Sequence, residues 1–315
     1  MENVKKRRGE RKMRLQDKLV SYLEYCTYRK ELDQKTVKAY RIDLNQYFTF
    51  VACEEPEKIE EYITELHKKY KQKTVKRKIA SVKAYYSYLE ENELIKESPF
   101  RKIKVKFKEN LILPRIIPRE EIEHLLNHMY GCLQQASETV YKYCLRDVAV
   151  IELFFATGAR VYEISNIRAE NVNLNTGLIQ LMGKGAKERY VQIGSTSVLN
   201  ILRKYYAENR AAIKKSGYFF VNGRGNRYTE QSIRLMLKKY TAQAGIERNI
   251  TPHMFRHSFA TYLIEEGVDI SCVQRILGHS SIKTTQIYIH VAARKQAEIL
   301  RDMHPRNNMK IIGAA

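Results

Sequence analysis

Apolar residues recur at three- and four-residue intervals through most of this 315-residue chain. That period leaves little room for anything but helices packed together by one face each. The pattern is interrupted at length in two places. Across residues 100–118 stand Lys102, Lys104, Lys106 and Lys108 with two prolines, a composition suited to an extended, charged connection. Between Asn175 and Ile193 a shorter period takes over. Asn175-Thr176-Gly177 signals a turn, Leu178–Met182 a strand, Gly183 to Lys187 a second turn and residues 189–193 the returning strand.

The first interruption separates two domains. Leu15, Leu19, Tyr22, Leu23 and Cys26 share one helical face. So do Val37, Tyr40, Leu44, Tyr47, Phe48 and Val51; then Ile59, Tyr62, Ile63 and Leu66; then Val75, Ile79, Val82, Tyr85 and Leu89. Four helices with short polar connections make a small bundle over residues 14–105, and Ser98-Pro99 ends the last of them. A basic tail, 1–13, precedes it and a linker, 106–118, follows. The second domain, 119–303, is expected to be helical apart from the hairpin. Its helices fall near 140–156, from Val161, and at about 196–214, 230–244, 252–266, 270–276 and 282–300, with a tail at 304–315. The fold class expected is mainly α with a small antiparallel β-sheet: an N-terminal helical bundle plus an α+β domain.

Charge narrows the partners. The chain holds 56 Lys and Arg against 35 Asp and Glu, a formal net charge of +21. Residues 1–110 carry 28 against 18 and the remainder 28 against 17, so both domains are basic, as expected if both touch a polyanion. An inert basic surface is the plainer alternative. Cys26, Cys53, Cys132, Cys144 and Cys272 show no paired spacing, which fits reduced thiols in a cytoplasmic protein better than a disulfide scaffold. The basic N-terminus lacks the apolar stretch of a secretory signal, and no run reaches the roughly 18 apolar residues of a membrane span.

Chemistry concentrates in the second domain. Thr251-Pro252 opens a helix, with Thr able to cap and Pro preformed at the first position. His253 and Arg256 then share a face in the first turn, where the positive end of the helix also favours a phosphate. Taken alone, the pair could be a capping His and a surface Arg. His253 and His257 form HxxxH, but Met254 stands where a zinc protease needs its glutamate and no third ligand is spaced nearby. No metal site is expected. Leu277-Gly278 ends another helix and leaves His279 at the turn; Tyr288 follows nine residues later. With Arg160 in ATGAR and Lys184 in GKGAKER, two fixed cations, a lysine, two imidazoles and a phenol suit attack of a tyrosine oxygen on a phosphodiester.

Assembled in this order, the motifs ATGAR (Arg160), GKGAKER (Lys184), HMFRH (His253, Arg256) and LGHSSIKTTQIY (His279, Tyr288) resemble the tyrosine recombinase (phage integrase) family. The resemblance is to its Xer-like, two-domain bacterial branch. It implies an N-terminal SAM-like core-binding domain and an α+β catalytic domain. It also implies a site-specific enzyme that cuts and rejoins DNA through a 3′-phosphotyrosyl intermediate and a Holliday junction, with no cofactor, metal or ATP. Tyr288 is then the nucleophile, His253 the proton acceptor and Lys184 the donor to the leaving 5′-oxygen. Arg160, Arg256 and His279 hold the phosphate. Glu163 anchors the cations, or is simply an i,i+3 partner of Arg160, and Lys187 rivals Lys184 within one turn. The partners implied are double-stranded core-site DNA and three further subunits, identical or of a second recombinase. Residues after Tyr288 would dock on a neighbour. A type IB topoisomerase-like enzyme and a non-catalytic DNA-binding regulator are the competing readings. Pro118-Arg119 stands where the family's catalytic domain commonly has a Ser or Thr cap, so the start of that first helix is expected to differ.

Overall fold

The computed structural model describes residues 18–51, 56–103, 105, 107, 114–183, 188–278 and 301. They fall into two units, 1–110 and 111–315. The basic N-terminal tail, the expected helix over 282–300 and the C-terminal tail lie outside the described residues, Arg301 excepted.

In the first unit the helical period becomes a four-helix bundle: α1 (18–28), α2 (Gln34–Phe50), α3 (Pro56–Lys69) and α4 (Gln72–Glu91). Asp33 starts α2 by accepting the Lys35 N–H at 2.8 Å, as a capping aspartate should. The core is unusually rich in tyrosine. Tyr22, Tyr47, Tyr85 and Tyr86 are all buried and meet edge to face. Buried phenols need partners, and Tyr47 and Tyr86 satisfy each other, oxygen to oxygen, at 2.9 Å. Val105 and Phe107, from the lysine-alternating run, pack on this core.

A charged pair, Asp43 and Lys78, lies inside the bundle. Asp43 of α2 is fully buried and accepts hydrogen bonds from Lys78 Nζ at 3.0 Å, Ser81 Oγ at 2.9 Å and the Arg77 guanidinium, all from α4. Lys78, itself buried, also donates to Gln46. This polar contact pins α2 to α4 in one register, because a slip would strand a carboxylate in an apolar medium.

The second unit is built around α6 (Glu138–Thr157), whose Leu145, Val148, Ile151 and Phe154 have no exposed surface. Helices α5 (Arg119–Gln134), α8 (Thr196–Ser216) and α10 (Pro252–Glu265) pack around it. Completing the unit are α7 (Val161–Asn166), α9 (Glu230–Gln243) and α11 (Ile270–Leu277). A three-stranded antiparallel sheet, β1 (Val172–Asn173), β2 (Leu178–Met182) and β3 (Glu188–Gln192), buries Ile179, Leu181 and Val191 on one face. Its register pairs Ile179 with Val191 and Leu181 with Arg189. Strand β1 was not foreseen, being too short to show any period.

One helix start departs from expectation and one follows it. Thr251 precedes α10, but its side chain makes no capping bond; Pro252 at the first position and packing carry that start. Pro118 precedes α5 with no side-chain cap. Instead Ile117 is tied to α10: its N–H donates to Ser258 Oγ at 2.8 Å and its carbonyl accepts from Tyr262 Oη at 2.5 Å. Glu120 and Glu121 stand in the first turn of α5, where negative charge suits the helix dipole. Asp43→Ala should destabilise the first unit by about 3 kcal/mol, since it leaves Lys78 buried without its counter-ion; urea unfolding followed by far-UV circular dichroism measures it, and a loss under about 1 kcal/mol would show the contact to be incidental.

Candidate active site

Helix α6 ends at Gly158, whose φ of +58° is a left-handed cap that glycine adopts without penalty. A Cβ there would also sit 2.5 Å from Phe259 Cδ1, so any other residue would force that ring to shift. The chain then turns at once into α7, with Arg160 as the residue before its first turn. The Arg160 N–H donates to Glu163 Oε2 at 2.7 Å, the glutamate half of a capping box. The Arg160 guanidinium donates through Nη1 to Glu163 Oε1 at 2.9 Å, and its side chain keeps 37 % exposure.

Glu163 is wholly buried and takes two further bonds. Arg189 of β3 donates through Nη1 to Oε1 at 2.5 Å and through Nη2 to Oε2 at 2.8 Å. Burial alone would push this carboxyl up; the hydrogen bonds and charges of Arg189 and then Arg160 outweigh it and hold the group below the usual glutamate range. Arg189 is the residue that reading the sequence missed. It stands inside the GKGAKER motif and alternates with buried Val191 on the inner face of its strand. A charged side chain on such a face implies a buried counter-ion, which was the available signal.

Arg256, on the first turns of α10, is buried. Its Nη1 donates to the Gly158 carbonyl at 2.9 Å and its Nη2 to the Leu277 carbonyl at 2.7 Å. Gly158 lies two residues before Arg160, and Leu277 two before His279. One guanidinium therefore spans the turns that precede two of the expected site residues. Both acceptors sit at helix C-termini, whose partial negative charge steadies a cation without cancelling it as a carboxylate would.

His253, three residues earlier, is partly exposed. Burial and the nearby charges of Arg256, Arg234 and Arg160 push its imidazole below the ordinary histidine range. His257, one turn on, is lowered by burial, His253 and Arg256. Among the described residues no three His, Cys, Asp or Glu side chains gather as a metal site. The structure thus brings Arg160, Glu163, His253 and Arg256 into one neighbourhood, with Arg189 added. Lys184, Lys187, His279 and Tyr288 lie outside the described residues. Their flanks are placed: Gly183 and Glu188 bracket the hairpin tip, and Gly278 caps α11 with φ +63°. What this arrangement can do is hold an anion, since among the described residues the cations Arg160, Arg189, Arg234 and Arg256 outnumber the carboxylates Glu163 and Glu230.

Comparison with known proteins agrees. Residues 115–295 match the phage integrase family, and residues 19–93 match the phage integrase N-terminal SAM-like domain. A tyrosine recombinase of Agathobacter rectalis is 47 % identical over 301 residues, covering 93 % of this chain and 98 % of that one. Tyrosine recombinase XerD of Listeria innocua is 32 % identical, covering 93 % and 100 %. In fold, the crystal structure of the XerH site-specific recombinase bound to a palindromic difH substrate superposes with a TM-score of 0.72 at 22 % identity, over 89 % and 83 % of the two chains. With both halves matched and relatives aligned along nearly their whole length, the chain belongs to the phage integrase family as an Xer-like tyrosine recombinase, an enzyme of DNA strand exchange.

Proposed function

We propose that the site assembled on α7, α10 and the α11 turn holds one scissile phosphate of a DNA core site while Tyr288 attacks it. The observation that carries this reading is the buried Arg256 guanidinium, held by the Gly158 and Leu277 carbonyls beside Arg160. Arg160 and Arg256 then share the non-bridging oxygens, both permanently charged forks, and His279 adds a hydrogen bond. Losing one such donor typically slows catalysis by roughly 10²–10³-fold.

The Tyr288 phenol, with an ordinary pKa near 10, needs its proton removed as it attacks. His253 is the acceptor: its lowered basicity keeps the ring neutral through the physiological range. The new bond joins Tyr288 Oη to phosphorus and the bond to the 5′-oxygen breaks, with Lys184 supplying that oxygen's proton. The phosphodiester is exchanged, not hydrolysed, so religation to another strand needs no ATP. Two duplexes present four strands, which calls for four subunits on DNA, identical or with a second recombinase.

A groove of about 690 Å³ between α5, α6, α8 and α10, lined by Leu126, Phe155, Phe259 and Leu263 with Glu123 and Glu152, supports the docking idea. Its apolar wall and carboxylates complement Ala292, Arg294, Lys295, Ala297, Ile299 and Leu300 of a neighbour's post-tyrosine segment. No helix among the described residues is long and apolar enough to cross a membrane, and the cytoplasm, where the DNA lies, is the proposed compartment. Host chromosome-dimer resolution and mobile-element integration or excision both use this reaction.

Covalent capture on genomic DNA should recover a short core site joined through a 3′-phosphate to Tyr288. Tyr288→Phe should keep DNA affinity and form no adduct on a nicked copy of that site; an adduct surviving the change would move the nucleophile elsewhere. Because the His253 pKa is lowered, the acidic limb of the cleavage profile should fall below about pH 6.5, the ordinary histidine midpoint. A limb at or above that value would remove His253 as the base. Deleting residues 292–315 should cut two-site strand exchange at least ~10-fold while sparing single-site binding; undiminished exchange would end the docking proposal.

A further inference from the structure

Of the four bonds on Glu163 each arginine gives two, but the three guanidinium bonds among them are not shared equally. Arg189 meets both carboxylate oxygens with both terminal nitrogens and is nearly buried, its side chain 9 % exposed. Arg160 spends a single guanidinium bond on the same carboxylate and keeps 37 % exposure. The stem of Arg189 fills the space under the α11 cap: a Cβ on Gly278 would lie 3.0 Å from its Cδ. Its Nε is buried with no acceptor among the described residues. An orphaned donor beside a buried ion pair is a costly way to gain stability, so a purely structural account of Arg189 is unsatisfying.

Charge accounting supplies the alternative. If Glu163 had Arg160 alone, the pair would be neutral and the guanidinium would be drawn fully onto the carboxylate. With Arg189 present, two cations share one anion and a net positive charge remains on the member that faces outward. We propose that Arg189 is a positioning residue for strand cleavage: it is the counter-ion of Glu163, and it thereby leaves the charge of Arg160 for the scissile phosphate. The proposal rests on the reading of Arg160 as a phosphate-binding group. It requires no contact between Arg189 and DNA.

The test uses the full-length chain and a nicked duplex bearing the core site recovered by covalent capture. The scissile phosphate is either native or a methylphosphonate, in which a methyl replaces one non-bridging oxygen and removes the charge that Arg160 would meet. The rate of covalent adduct formation is read for wild type, R189K, R189M, E163Q and R189M/E163Q, with DNA affinity and melting temperature alongside. On the native phosphate R189M should be slower by roughly 10²-fold, the size of losing one preorganised donor, with affinity within about 3-fold of wild type. R189K, which keeps the charge without the fork, should stay within about 10-fold. R189M/E163Q should be at least ~10-fold faster than R189M, because a neutral amide in place of the carboxylate no longer claims Arg160. On methylphosphonate the deficit of R189M should shrink to about 3-fold or less.

A double variant no faster than R189M, R189K as slow as R189M, or an undiminished deficit on methylphosphonate would each overturn the proposal. Should R189M give no folded protein, E163Q against R189M/E163Q decides. Rates equal within about 3-fold support the counter-ion role, and a further loss on the order of 10²-fold refutes it. A wild-type chain that forms no adduct at all would instead sink the phosphate-site reading itself, before Arg189 is reached.

Discussion

A guanidinium buried between two helix ends organises this site. Arg256 cannot sit where it does without hydrogen-bond acceptors, because an unpaired buried cation would cost several kcal/mol. It finds them in the carbonyls of Gly158 and Leu277. Those carbonyls are free because α6 and α11 both stop there, each at a glycine in the left-handed conformation. The first of these endings is what places Arg160 just beyond it. The caps, the turns that follow them and the buried cation are one arrangement, and a change in any of the three elements is felt by the other two.

The second arrangement is electrostatic. Two acceptors of Arg256 are backbone dipoles, whereas Arg160 has a true carboxylate beside it. A buried glutamate next to an arginine proposed to bind phosphate would be self-defeating without compensation. The β-hairpin brings the compensation in Arg189. The base of the hairpin therefore takes part in the charge balance of the neighbouring helix. The same logic appears in the N-terminal unit, where Asp43 is enclosed by Lys78, Arg77 and Ser81 and pins two helices in register. In both places a buried carboxylate accepts more than one cation, and the surplus charge remains.

Much of this was legible beforehand, for identifiable reasons. Helices α8, α10 and α11 start and stop within two residues of their expected positions, since capping and glycine signals are local. The hairpin strands were visible because Gly183 and Gly177 mark their turns. Strand β1 was invisible: two residues carry no period, and its pairing with β2 is purely tertiary. Thr251 was expected to cap α10 and does not, because Pro252 and the Ile117 contacts to Ser258 and Tyr262 hold that region by other means. Arg189 went unnoticed because one buried cation on a strand is conspicuous only when its partner is known, and Glu163 lies 26 positions away.

The linear order of residues was enough to establish the family, the two-domain plan and the helical class, and to single out the side chains proposed to react. Those depend on motif spacing and on signals that act within a turn or two. Only the folded structure decided which carbonyls hold Arg256, that Glu163 answers to two arginines, and that α10 anchors the start of α5. Such facts depend on segments that are distant in sequence meeting away from water, where every charge and every hydrogen-bonding group must find its partner. No local pattern carries that information.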